Sequence, residues 1–249
     1  YSLMNPNTFE VIQYRVLDTC IGATIAIVTN YLIFPRWEAS NLKQILLNAL
    51  EMNKKYLLAT QELYQDPTTQ KISYKLARKE AFVAISNLNA SFQRLTQDPK
   101  SKQQEFQLIY EMVTLNQTMV SAIASIGTFV IHHKTTAASE EFNRVALKIS
   151  NTLEVSCDHL MNKKNEKIIT ARHTEAPNDS LLNTYQKLST QRDENIRKGN
   201  TELDLTTLHG LQEAYLIANH MNWLQSLSEN LKKTTESYQQ SLKTALERS

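Results

Sequence analysis

Glycine and proline are scarce in this chain, at four and five residues among 249. Strands joined by tight turns use both freely, so the shortage argues against a β-rich fold and for long helices. Cysteine is nearly absent as well: Cys20 and Cys157 lie far apart and form no metal-spaced cluster, which fits a reducing compartment. Charge of one sign is also missing. The formal net charge is +2, so the whole chain shows no electrostatic footprint for nucleic acid, and no such partner is expected.

The sequence has no phosphate-cradling glycine loop, nucleophile elbow or His-Glu-x-x-His pattern. No enzyme, catalytic residue or cofactor is therefore expected. Of six histidines, His132 and His133 are adjacent, and neighbours on a helix point about 100° apart, which makes a poor two-ligand face. A surface or helix-end role suits them, and no metal site is read. Cys157 and His159 diverge in the same way, leaving Cys157 as a small buried residue.

With 41% hydrophobic and 21% charged residues, the chain can bury a core as one long or two ordinary domains. Mean hydropathy is negative, yet Val16–Phe34 is nineteen residues long with Asp18 as its one charge. A helix crossing roughly 30 Å of hydrocarbon needs about 20 apolar residues, so this run meets the length. Gly22 and Ala26 stand at the small-xxx-small spacing of packed membrane helices. Tyr14, Tyr31, Phe34 and Trp37 mark the ends as interfacial aromatics do. A central helix of a soluble bundle, apolar all round, is the competing reading.

Arg36, Lys43, Lys54 and Lys55 follow the run while Arg15 alone precedes it, so the C-terminal side is expected in the cytoplasm. Those later cations can also touch anionic headgroups or simply face water. Arg15 and Asp18 sit three residues apart on one helical face at the far boundary. Charges there line a bundle interior or a watery path, or else Arg15 snorkels with Asp18 as counter-ion. The chain begins with Tyr1, and "YSLMNPNTFEVIQ" has neither a basic n-region nor a small-residue cleavage site, so it reads as part of something longer.

The order Arg15-x-x-Asp18-Thr19-x-x-Gly22-Ala23, then an apolar run closing on Phe34-Pro35-x-Trp37, resembles the last membrane helix of the fusaric-acid-resistance-like (FUSC) family. "YKLARKEAFVAISNLNASFQRLTQDPKSK", residues 74–102, is similar to the cytoplasmic helix that follows it there: Leu76, Ala77, Arg78 and Lys79, Asn87 to Ser91, then Asp98-Pro99. Lys79 and Asp98 stand where arginine and glutamate are frequent, with charge kept. The resemblance covers roughly residues 9–135, and its specificity lies in the order and spacing of short motifs. A more distant likeness, through the same Arg, Gly and Phe-Pro-x-Trp pattern, is to plant aluminium-activated malate transporters.

The resemblance implies a multi-pass inner-membrane protein that exports aromatic or other organic carboxylic acids. Residues 1–36 would be its last membrane helix with the preceding loop, and 37–249 a cytoplasmic helical bundle. It implies as partners the bilayer, upstream membrane helices, an organic anion substrate and, in an oligomer, further copies of the chain. Arg15 and Asp18 would line the substrate path, and Gly22 and Ala26 would pack helices. Phe34, Pro35 and Trp37 would mark the membrane exit. A membrane-anchored assembly or partner-binding module without transport activity is the alternative.

Beyond Trp37, Leu42, Ile45, Leu46, Ala49, Leu50, Met52 and Tyr56 recur near helical spacing, which predicts a stalk-like helix leaving the membrane. Asp66-Pro67 and Asp98-Pro99 punctuate the chain one long helix apart and predict an antiparallel hairpin. Met112–Ile131 is twenty residues without a charge, long enough for a second span. Its Thr114, Asn116, Gln117, Thr118, Ser121, Ser125 and Thr128 favour a buried bundle helix instead. An amphipathic helix over 136–164 has Ser139 as N-cap, with Glu140 and Glu141 in its first turn and Lys163, Lys164 and Lys167 beyond. Loops are predicted around Pro177 and Gly199, then a last long helix apolar at Leu211, Ala214, Tyr215, Ile217, Ala218, Met221, Leu224 and Leu227.

Overall fold

A computed structural model describes residues 6–29, 38–68, 70–97, 105–133, 135–136, 138–161, 179–197 and 205–247. It is all-α: seven helices and, among the described residues, no strand. They are α1 (Pro6–Val28), α2 (Glu38–Gln65), α3 (Lys71–Leu95), α4 (Phe106–His132), α5 (Glu140–Met161), α6 (Asp179–Arg197) and α7 (Leu205–Glu247). The chain divides into two compact units, Tyr1–Trp37 and Glu38–Ser249.

The second unit is a bundle with a square four-helix centre. Helix α2 packs on α4 and α5, and α7 packs on the same two from the opposite corner. Helix α3 lies outside against α2 and α4, and α6 outside against α7. The stripe read after Trp37 explains the place of α2: Leu42, Leu46, Ala49, Leu50 and Tyr56 are buried, with Ile45 and Met52 packed against them. Asn53, Leu57, Thr60, Leu63 and Tyr64 continue the burial, so α2 is an interior helix of the bundle rather than a stalk.

Asp66 makes the predicted turn between α2 and α3. Its carboxylate accepts from the Thr68 N–H at 3.1 Å and the Thr68 hydroxyl at 2.6 Å, and its carbonyl accepts from Gln70 N–H at 3.3 Å. The second predicted stop, Asp98-Pro99, lies outside the described residues, as do Lys163, Lys164, Lys167, Pro177 and Gly199. At the start of α5, the Ser139 hydroxyl accepts from the Phe142 N–H at 3.1 Å, and Glu140 and Glu141 occupy the first turn as expected.

Helix α4 is long and apolar enough to cross a membrane, but here it packs in the bundle. Met112, Val113, Met119, Val120, Ile123, Ile126 and Val130 are buried on one face. On the other, the hydroxyls of Thr114, Thr118, Ser121 and Ser125 donate to carbonyls one turn back. Helix α7 buries Leu211, Ile217, Ala218, Met221, Leu224 and Leu227 as read, and extends the stripe to Leu231. Tyr215 departs from that reading: it is exposed and stacks at a tilt with Tyr185 of α6, 5.2 Å between ring centres.

Candidate functional site

Two places gather polar chemistry, one on α1 and one inside the bundle. On α1, the described side chains from Glu10 to Val28 are exposed, including Val11, Ile12, Val16, Leu17, Ile21, Ile25, Ile27 and Val28. The helix satisfies its own hydroxyls: Thr19 donates to the Arg15 carbonyl and Thr24 to the Cys20 carbonyl, each at 2.7 Å. That local closure is what an apolar surrounding demands, because an unpaired hydroxyl there costs several kcal/mol.

Arg15 and Asp18 are both exposed on α1, and among the described residues no ion pair joins them. A shallow open concavity runs along Ile12, Arg15, Val16, Thr19 and Cys20. It places the Arg15 side chain among apolar and hydroxyl groups on one side of the helix. No heavy atom lies within 4 Å of where a Cβ on Gly22 would stand. Gly22 and Ala26 are both exposed, one turn apart on α1. Phe34, Pro35 and Trp37 lie outside the described residues.

The polar group that sequence reasoning missed is Glu213 of α7, a carboxylate with 5% exposure. Its oxygens accept from the Tyr64 hydroxyl at 2.6 Å, the Thr136 hydroxyl at 2.9 Å and the Thr136 N–H at 3.0 and 3.2 Å. The bond from Tyr64 crosses the diagonal of the bundle from α2 to α7, and Thr136 ties in the segment between α4 and α5. Burial, then the hydrogen bond to Glu213 and its charge, push the Tyr64 phenol well above its ordinary value. The signal was present in the sequence: Glu213 interrupts an apolar stripe between Leu211 and Ile217.

Two further interior contacts escaped notice. Asn53 donates to the Asn116 carbonyl at 3.2 Å and its side-chain oxygen at 3.0 Å, joining α2 to α4. Tyr56 and Tyr74 share a hydrogen bond at 3.1 Å, with Tyr74 lying so close over Gly127 that a Cβ there would collide with its ring. The Asn53 amide nitrogen and the two tyrosine hydroxyls are paired within the protein, whereas Asn53 Oδ1 is buried without a hydrogen-bond partner. Among the described residues no group of three His, Cys, Asp or Glu stands ready for a metal ion. His132 and His133 lie at the end of α4, each with its Nδ1 against a carbonyl one turn back. Cys157 is buried, and its thiol is pushed up to about 12, first by burial and then by the charge of Glu51.

An all-helical bundle and an apolar helix whose described side chains are exposed are compatible with the FUSC likeness read from the sequence, and that likeness is carried by similarity to known proteins. The chain is similar to the inner membrane protein YccS of Escherichia coli (strain K12), a FUSC family member, with 32% identity over 119 residues. That match covers 48% of this chain and 17% of YccS. It is also similar to an uncharacterized protein of Haemophilus influenzae, 25% identical over 158 residues, covering 62% of this chain and 22% of the relative. The chain thus matches less than a quarter of the length of either relative. No family model matches it, and no solved structure does.

Proposed function

We propose that the chain is the C-terminal portion of a multi-pass inner-membrane protein of the FUSC type, exporting aromatic or other organic carboxylic acids. In this reading α1 is the last membrane helix, and the residues after about 36 lie in the cytoplasm, following the cations Arg36, Lys43, Lys54 and Lys55. The observation that carries it is the exposure of α1. Its eight large aliphatic side chains are 45–68% exposed, and burying each is worth about 1.5–3 kcal/mol. Together they outweigh the cost of about 2.5–3.5 kcal/mol for each of Arg15 and Asp18 in a bilayer. Similarity to an inner membrane protein supports the same conclusion, and the small share of that relative matched leaves room for upstream helices to pack on Gly22 and Ala26.

In this mechanism Arg15 faces the permeating acid from the concavity it lines with Thr19. Water screens little in such a place, so a fixed guanidinium attracts a carboxylate strongly. Arg15→Gln in the complete transporter is expected to lower efflux of an aromatic carboxylate by about tenfold or more, the effect of losing about 1.4 kcal/mol of interaction. Unchanged efflux removes Arg15 from the path.

The alternative, a membrane-anchored assembly module, draws on the bundle's own continuous core, which runs from Leu42 to Leu231. The mass of the isolated bundle in solution separates the two readings, since a stable oligomer favours assembly.

A further inference from the structure

The bundle is not uniformly polar outside. Along α3, Ile72, Leu76 and Val83 are 82%, 54% and 51% exposed. Their spacing of four and seven residues aligns them on one side of the helix, opposite the buried Tyr74, Ala77, Ala81 and Ala84. Phe82 stands beside them, with the Arg78 guanidinium 5.6 Å above the centre of its ring.

The same outer half of the helix carries Lys71, Lys75, Arg78 and Lys79, all exposed, and the first nine residues of α3 contain no acid. Glu80 comes next, and it is engaged by Lys55 of α2 at 2.6 Å. These cations do not serve the helix itself, because positive charge near a helix N-terminus opposes the dipole. Nor do the large apolar side chains serve the core. The cations Lys54 and Lys55, read from the sequence as able to touch headgroups, are instead held by Glu154 and Glu80.

We infer that the outer face of α3 docks on an anionic phospholipid surface. An apolar row flanked by lysines is the arrangement of an interfacial helix: the row enters the acyl boundary while the lysine stems lie along it and lift their charges to the headgroups. Charge complementarity selects the lipid, since each basic residue near such a surface strengthens binding by about fivefold. The inference rests on the reading that the chain is a membrane protein, and it uses the face of α3 alone.

The test uses the full chain in lipid nanodiscs, with Cys20→Ser to leave buried Cys157 as the remaining native thiol. Leu76→Cys then carries an environment-sensitive fluorophore. In discs containing about a third phosphatidylglycerol, emission is expected to shift to the blue and to be quenched by spin-labelled lipid. Quenching is expected to fall at least about fivefold in pure phosphatidylcholine discs and in the Lys71→Glu, Lys75→Glu, Lys79→Glu variant. Circular dichroism confirms that the variant keeps its helices.

A label that stays unquenched while the chain is embedded in anionic discs overturns the docking and leaves the membrane reading intact. A blue shift that follows the number of chains per disc, without lipid quenching, assigns the face to a second copy and also overturns it. A chain that does not enter discs at all overturns the membrane reading, and this inference with it.

Discussion

Glu213 shows how one residue holds several elements. Taking away a buried partner leaves the others desolvated and unpaired, so Glu213→Leu strands the Tyr64 and Thr136 donors. The sign of the tyrosine linkage follows from the raised phenols of Tyr64 and Tyr56, both shifted chiefly by burial. A group whose folded value is raised keeps its full contribution below its unfolded value and loses it as pH climbs toward the folded one. Stability should therefore hold to about pH 9 and fall above about pH 10, at up to about 1.4 kcal/mol per pH unit for each tyrosine. Denaturant unfolding at several pH values checks this, and Tyr64→Phe should flatten the alkaline decline. Gly127 gives a second expectation at this scale. Any Cβ there must displace the ring of fully buried Tyr74, so Gly127→Ala should cost about 1–3 kcal/mol in the same measurement. The sequence marks Glu213 as a charge within an apolar stripe, but not its partners, nor the ring over Gly127. Both depend on which side chains from distant helices meet, and Tyr64 and Glu213 are 149 positions apart.

At the scale of elements, local pattern spoke clearly. The Asp66-Pro67 turn, the Ser139 cap and the burial of α4 and α7 follow from residues a few positions apart, where helix periodicity and capping chemistry operate. Ser139→Ala removes the one side-chain acceptor seen for the Phe142 N–H. It should destabilise the bundle by about 1 kcal/mol, read as a shift in the thermal midpoint, whereas Ser139→Asp should preserve it. Local pattern misplaced Tyr215 and the role of α2. Tyr215 has the spacing of a core residue, but α6 offers Tyr185 at the surface instead. The apolar stripe of α2 was visible; that it is wide enough to meet three helices at once was not.

The molecule as a whole divides into two units that differ in how much apolar surface they bury. Among the described residues of the second unit, 39 hydrophobic side chains are buried in one continuous core, while α1 buries none of its apolar window. Expressed without the first unit, the bundle should be soluble and helical and unfold in one cooperative transition, because the second unit carries one continuous core, with described residues from Leu42 to Leu231. Circular dichroism during urea titration tests this: a broad, non-cooperative loss of signal would show that the bundle needs the rest of the chain. The full chain, by contrast, should need detergent or lipid to stay dispersed.

The sequence by itself determined the helical class, the apolar run of α1 with its two charges and the existence of a polar bundle beyond it. Each of these is a matter of composition or of short-range periodicity, which the chain carries without folding. The tertiary structure alone decided that α2 is interior and that the charge of Glu213 is buried among donors from Tyr64 and Thr136. It also left the basic and apolar face of α3 uncovered. The reason is physical: burial and pairing are settled by which faces of separate helices meet, and that choice is made by the packing of the whole core.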